Sequence, residues 1–447
     1  MRVIDFVNRY AAETLLLESE GSSVVAGELT NSFSNAKNFV NRSVLIATSR
    51  IEEAIHAICR LDGWVKAIGF CPHNFRSSEI DRIAKQGGFD AILGEGAGDV
   101  PRFPDCKSLV RFLWDSTGEC ESHSTSWVMM TSGTTGTPKL VLHSLKTLTS
   151  TTKISKHGMQ GVRWGMLYDY TRFAGMQVVL QSLLSGAVLV APDLTDSIQD
   201  QLKFLAANGT THLSTTPTMW RKILMTPGHE QLSLKVATLG GEIADQAILD
   251  ALKRSYTDAR IIHIYASTEA GVGFSVKDGV AGFPESYVTA VNDKMKLRVV
   301  DERLEVFNPD VGKNYLGSHQ NVSDEEGWVA TGDLVEQANG RFFFQGRANG
   351  TINVGGNKVM PETVEAALIR HPNVALSRVY AKKNPFSGSL VVADIVLARK
   401  VDDEPTLKQA ILESLKSHLE PFQIPVKLKI VDSIETTTAG KIVRNGP

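Results

Sequence analysis

The chain reads as an α/β protein: a large N-terminal domain of helix-covered, mainly parallel sheets, followed by a small α+β C-terminal domain. Three observations predict this. Strand-like apolar runs alternate with helix-period segments over most of the length, the pattern of a parallel sheet with crossover helices. The 447 residues, 42% of them apolar, exceed what one hydrophobic core usually holds, so at least two domains are expected. The alternation then changes character after about residue 346, where a Gly- and Asn-rich segment that bends easily precedes a shorter mixed pattern.

Taken in order, residues 127–130 form a strand that leads into a Ser/Thr/Gly loop. Asp196 can cap a helix in which Ile198, Leu202, Leu205 and Ala206 share a face; Gly209 ends it, and 211–215 is the next strand. Residues 236–239 are a short strand, 245–254 a helix with Ile248 and Leu252 one turn apart, and 261–265 a strand again. In the small domain, 361–370 is a helix with proline in its first turn. Residues 374–380 and 391–398 are strands, and Leu407, Ile411, Leu415 and Leu419 trace one face of a longer helix. The bendable segment 347–356 places the boundary near Asn349, giving domains 1–346 and 347–447. No internal repeat or low-complexity tract interrupts this order.

Composition excludes several classes. Formal net charge is −2, from 47 basic and 49 acidic side chains, so nothing points to a nucleic-acid or anionic-membrane partner. The longest apolar stretch, 178–191, is broken by Gln181, Ser182, Ser185 and Gly186 and is too short for a membrane span. The first 21 residues lack a basic segment followed by a long apolar run; they read as a short amphipathic helix and not as a signal peptide. Cys59, Cys71, Cys106 and Cys120 have no CxxC or metal-like spacing and read as free thiols in a reducing compartment. A cytoplasmic protein is expected.

The densest chemistry lies in 131–139, TSGTTGTPK. Gly133 and Gly136 permit unusual backbone angles and close approach. The hydroxyls of Thr131, Ser132, Thr134 and Thr135 can donate to phosphate oxygens, and Lys139 adds a positive charge. No Gly-Lys-Ser/Thr ends the loop, so it is not a Walker A motif. On composition alone an ordinary flexible loop fits equally well.

The loop resembles the signature of the adenylate-forming superfamily, which includes acyl-CoA synthetases, nonribosomal adenylation domains and luciferases. Later motifs follow in the family's order: Tyr265-Ala266-Ser267-Thr268-Glu269, Thr331-Gly332-Asp333, Gly346-Arg347, 352–356 INVGG, Pro361-Glu362, and Gly440-Lys441 near the end. The resemblance covers nearly the whole chain and is nearest the acyl-CoA synthetase branch. It implies that ATP and Mg²⁺ activate a small-molecule carboxylic acid to an acyl-adenylate. The acyl group then passes to a thiol, either coenzyme A or an acyl-carrier protein.

The same resemblance distributes roles. Residues 131–139 close over the leaving phosphates. Glu269 holds Mg²⁺ and Thr268 meets the α-phosphate. Tyr265, Ala266, Ser267 and Gly240-Gly241-Glu242 form the adenine site, with the Tyr265 ring available for stacking. Asp333 suits the two ribose hydroxyls, with Arg347 beside it. Lys441 bridges the substrate carboxylate and the α-phosphate. The small domain is implied to be mobile, rotating at Asn349 to present Gly355-Gly356 for thiol entry. Read alone, Tyr265 is a core aromatic, Asp333 a turn residue and Lys441 a solvated tail lysine.

Departures lie at the hinge, where Asn349 stands for the usual Asp or Lys, and at Ala266 and Leu140, where Gly is common. The acyl pocket is least legible. His143, Arg172 and Phe173 are its candidate walls, with Pro217 and Trp220 as further choices. Residues 168–175 read YDYTRFAG, without the family's Phe-Asp segment that would suit an amino-acid ammonium, whereas Arg172 suits a second anionic group or a structural ion pair. A non-catalytic adenylate-binding protein is the competing class; intact Lys139, Glu269, Asp333 and Lys441 argue against it.

Overall fold

The βα repeats build an eight-stranded sheet in the order Gly271–Val276, Arg260–Ser267, Val236–Gly240, His212–Thr215, Arg163–Met166, Val188–Ala191, Leu15–Ser19, Ser22–Val25. The inner strands run parallel and the two edge strands antiparallel. The computed structural model describes residues 1–30, 42–113, 124–131, 138–154, 158–159, 161–289, 296–309, 315–318, 320–384, 388–437 and 440–444.

A parallel sheet must be covered on both faces. Helix Phe173–Ser185, apolar almost all round, does this on one side. It packs into the core cluster that joins the large sheet to a second, six-stranded sheet carrying Ser43–Ile46, Ala67–Phe70, Ser126–Met130 and Leu140–His143. On the other side, helices Ile198–Ala207, Pro217–Met225 and Gln246–Ser255 bury Leu202, Leu205, Trp220, Ile223, Ile248 and Leu252.

Two further sheets complete the chain. Phe283–Pro284, Arg341–Arg347, Trp328–Ala338, Arg303–Phe307 and Lys296–Val300 form a wholly antiparallel sheet, which the βα alternation does not reveal. Beyond it, Ile352–Val354, Asn357–Val359, Val374–Asn384, Gly388–Leu397 and Lys427–Ile430 form a separate sheet. Helices Pro361–Ile369 and Glu404–Leu415 pack on it around Leu368, Val391, Ile395 and Ile411. Where the antiparallel sheet hands over to this unit, Gly346 has φ +140°, and a Cβ there would lie 2.5 Å from Glu362 Oε2. Only glycine fits that crossing.

The N-terminal reading needs correction. Only Val3–Val7 is helical; Leu15–Ser19 is a strand alongside Val188–Ala191, because burying Leu16 and Leu17 in the sheet outweighs helix periodicity. The apolar stretch 178–191 divides at Gly186, φ +67°, into the end of a helix and the start of a strand. Ser197, one residue after Asp196, is the N-cap of Ile198–Ala207. No described helix is long and apolar enough to cross a membrane.

Ile411 is fully buried at the centre of the small-domain core. Ile411→Ala should destabilise that unit by about 2–5 kcal/mol, read as faster amide exchange in strands Val374–Asn384 and Gly388–Leu397. Unchanged protection there would contradict this account of the core.

Candidate active site

Ligands of open α/β sheets gather at the carboxyl ends of the strands. Here Thr215, Gly240 and Ser267 end neighbouring strands, and a cavity of about 600 Å³ opens among them. Met130, Tyr168, Arg172, Phe173, Gly240, Gly241, Ala266, Ser267, Thr268 and Lys441 are among its walls.

Lys441 reaches the cavity from the small domain. A Cβ on Gly241, φ +82°, would sit 3.3 Å from Lys441 Cε, so this glycine makes the room the lysine occupies. Three side chains of the large domain hold the loop that carries it. Thr216 Oγ1 donates to the Gly440 carbonyl at 2.7 Å. Lys222 Nζ donates to Thr436 Oγ1 at 3.0 Å. The Glu242 carboxylate accepts from Thr218 N at 3.0 Å and from Ile442 N at 3.1 Å. Burial lowers the Lys441 pKa, Glu242, Asp333 and Glu269 raise it, and Arg347 adds to the fall. Glu242, expected at the adenine site, therefore uses its carboxylate to dock the small domain.

Asp333 and Arg347 face each other across paired strands. Asp333 Oδ2 accepts from the Tyr265 hydroxyl at 2.6 Å, and Oδ1 lies 3.2 Å from Arg347 Nε. Arg347 also donates to the Thr331 carbonyl at 2.7 Å. Each carboxylate oxygen keeps a further lone pair. The Tyr265 ring lies nearly parallel to Phe274 and Phe344, with centroids 5.2 and 5.1 Å away, and Gly273 presses close against it. Its apolar body is committed to the aromatic core, and what it offers the site is its hydroxyl on Asp333.

The loop residues Ser132, Gly133, Thr134, Thr135 and Gly136 lie outside the described residues. Its ends are fixed: Thr131 N donates to the Lys139 carbonyl at 3.0 Å, continuing the antiparallel pairing of Ser126–Met130 with Leu140–His143. Lys139 Nζ lies 4.6 Å from the Tyr315 ring centroid. The Tyr315 hydroxyl contacts Glu269, and burial and that carboxylate push it up to about 12. Tyr315 thus connects the phosphate loop to Glu269. Sequence reading missed it because it stands outside every motif.

Of the proposed acyl-pocket residues, Arg172 and Phe173 line the cavity. His143 stands behind them, its ring 5.5 Å from that of Phe173. Burial pushes it down to about 4, so it is neutral, and Nε2–H donates to the Thr268 carbonyl at 2.9 Å. It orients Thr268 and is absent from the cavity wall. Trp220 is also core, fully buried and donating to the Thr238 carbonyl, and Pro217 faces a different, smaller hollow. Asn349 is exposed in the short turn Ala348–Gly350. Gly355 and Gly356, φ +59° and +92°, form an exposed hairpin tip outside the cavity. Among the described residues, no group of three or more His, Cys, Asp or Glu could hold a metal ion.

A family model described as AMP-binding enzyme matches residues 90–321, and one described as AMP-binding enzyme C-terminal domain matches 363–441. The chain belongs to the AMP-binding enzyme family. It is 27% identical over 348 residues to a mitochondrial acyl-coenzyme A synthetase of Mus musculus, covering 71% of this chain and 60% of that protein. To 4-hydroxybutyrate–CoA ligase 1 of Metallosphaera sedula it is 28% identical over 343 residues, covering 70% and 60%. The chain thus spans about 60% of the length of these relatives. In fold it is similar to an anthranilate CoA ligase in complex with anthranoyl-AMP: TM-score 0.82, 17% identity, 99% of this chain and 95% of that one. An o-succinylbenzoate coenzyme A synthetase of Bacillus subtilis with ATP and magnesium ion gives TM-score 0.73, 19% identity and coverage of 99% and 98%.

Glu242→Ala removes two acceptors from the docking surface. A hydrogen bond to a charged group contributes about 1.5–3 kcal/mol, so amide exchange at Ile442 and at its neighbours Lys441 and Val443 should rise on the order of tenfold or more. Unchanged exchange at Ile442 would show that docking does not depend on Glu242.

Proposed function

We propose that the protein is an AMP-forming acid–thiol ligase. A carboxylate oxygen attacks the α-phosphorus of ATP, the bond to the bridging oxygen of the β-phosphate breaks, and pyrophosphate leaves. A thiolate then attacks the acyl carbon, the bond to the AMP oxygen breaks, and AMP leaves; the thiol proton goes to solvent. Coenzyme A is the thiol of this reading, since the relatives' names pair acids with coenzyme A. With coenzyme A alone an acyl-carrier protein would be unnecessary, and that assay separates the two. The buried free thiols Cys59, Cys71 and Cys106 support a cytoplasmic setting.

The observation that carries the reading is Lys441 above Gly241, inside the same cavity as Thr268. Two anions must meet there, and a fixed ammonium cancels charge on both as the bond forms. His143 sets the Thr268 backbone, and Asp333, braced by Tyr265 and Arg347, keeps lone pairs that suit the ribose hydroxyls. A Mg²⁺ ion fits a site with one carboxylate, because it binds through one or two carboxylates together with substrate phosphates. Glu269 would hold it, with Tyr315 fixing that carboxylate and Lys139 nearby. Bound there, the ion would neutralise charge on the leaving phosphates. Rotation at Asn349 would withdraw Lys441 and bring Gly355-Gly356 to the thiol's path.

Lys441→Ala should slow pyrophosphate exchange on the order of a hundredfold or more, while acyl transfer from a supplied acyl-adenylate stays near the wild-type rate. Only the protonated lysine can act, so the first half-reaction should fall as pH rises through a pKa below that of a free lysine. Equal loss of both half-reactions would remove the lysine from its role.

A further inference from the structure

The cavity is not confined to the strand ends. Alternate residues of the parallel strands line it down their length: Arg260, Ile262, Ile264 and Ala266 on one strand, with His212 and Ser214 on another and Thr216 just past its end. From Ala266 to Arg260 is six residues, about 20 Å of strand. The middle of this channel is mixed, with Ile262, Ile264 and Val178 beside Ser214, Thr238 and Gln177. Its remote end is different. Pairing across the sheet puts Trp164, His212, Val236 and Arg260 in one row, and Lys153 and Lys277 also line that end.

Those cations have no carboxylate to meet. Among the described residues neither Asp nor Glu lines the cavity, and Arg260, Lys277 and Lys153, all exposed, form no ion pair. Trp164 stands at the opposite end of the row from Arg260. Its ring is 4.9 Å from that of His212, whose Nδ1 is engaged by Thr211 Oγ1 at 2.9 Å. Burial, with Arg260, Lys235 and Lys153 close by, holds His212 down to about 4. An anion entering this end meets cations that no carboxylate of the described cavity lining answers.

We infer that the acid taken by this channel is elongated and carries a second anionic group at the end remote from the reacting carboxylate, received by Arg260, Lys277 and Lys153. The inference rests on the ligase reading above. An extended chain advances about 1.2 Å per bond, and the basic side chains reach inward. The two anions are therefore roughly ten to fifteen bonds apart, across an alkyl or aryl-alkyl spacer.

The test compares α,ω-dicarboxylic acids of about ten to fourteen carbons with monocarboxylic acids of the same length, by pyrophosphate release at low salt. Wild type should prefer the diacid on the order of tenfold in kcat/KM, mostly through KM and weakening with added salt. The double variant Arg260→Glu/Lys277→Glu should lose that preference and favour the ω-amino acid instead, while turning over the monoacid at the wild-type rate, which reports an intact fold. Monoacids turned over as well as diacids by wild type, or a diacid preference surviving in the variant, would overturn the inference and leave the ligase reading standing. No pyrophosphate release with any acid would overturn both.

Discussion

One ammonium group organises this molecule. Lys441 stands in the wall of a cavity in the large domain, yet it belongs to a different structural unit from most of that cavity. A lysine removed from water is costly unless opposite charge surrounds it. Glu242, Asp333 and Glu269 all act on Lys441 in the direction that keeps it charged. Near it in the same loop, Thr437 N donates to the Lys441 carbonyl and Gly440 N to the Thr437 carbonyl, both at 2.8 Å, and Thr436 bridges to Ile442.

That loop is braced in turn by charges inside the small domain. Arg444 makes a two-pronged contact with the buried Glu365, at 3.0 and 2.6 Å, and a further one with Glu362 at 3.0 Å. Glu365 also accepts from Val379 N at 2.9 Å. Arg378, paired with the buried Asp394, donates to the Val443 carbonyl at 3.3 Å. Buried pairs of this kind are dear to break because a lone charge stays behind. They hold the loop to its own domain, whereas the contacts of Thr216, Lys222 and Glu242 across the domain interface are few. Strong bonds within the domain and sparse ones between domains are what a unit needs in order to move without unravelling.

Much of this was legible in the sequence. Strands at 211–215, 236–239 and 261–265 follow from β-branched apolar runs between turn residues, and all three form in one parallel sheet. The motif residues were legible because their types and spacing are specific. What escaped was whatever depends on partners distant in sequence. Leu15–Ser19 joins the large sheet through the distant Val188–Ala191. Tyr315 gains its place from Glu269 and Lys139, and Glu242 from Ile442, 200 residues away. His143 resembled a pocket wall because it follows the phosphate loop, but strand pairing turns it inward onto Thr268. Arg260 gave no local signal at all; only the register of four strands puts it at the end of a channel.

The central claim is that this arrangement of the domains serves the first half-reaction and must be left for the second. A Cβ built on Gly440 lies 3.9 Å from Thr216 Cβ, within the range a disulfide spans. The strain of a side chain at φ +71° is small beside a covalent bond. In Thr216→Cys/Gly440→Cys, the decisive measurement is pyrophosphate exchange and thioester formation on the same oxidised and reduced protein. Oxidised protein should keep exchange at the rate of its reduced form and lose thioester formation, which reduction restores. Thioester formation at the same rate in both forms would contradict the account.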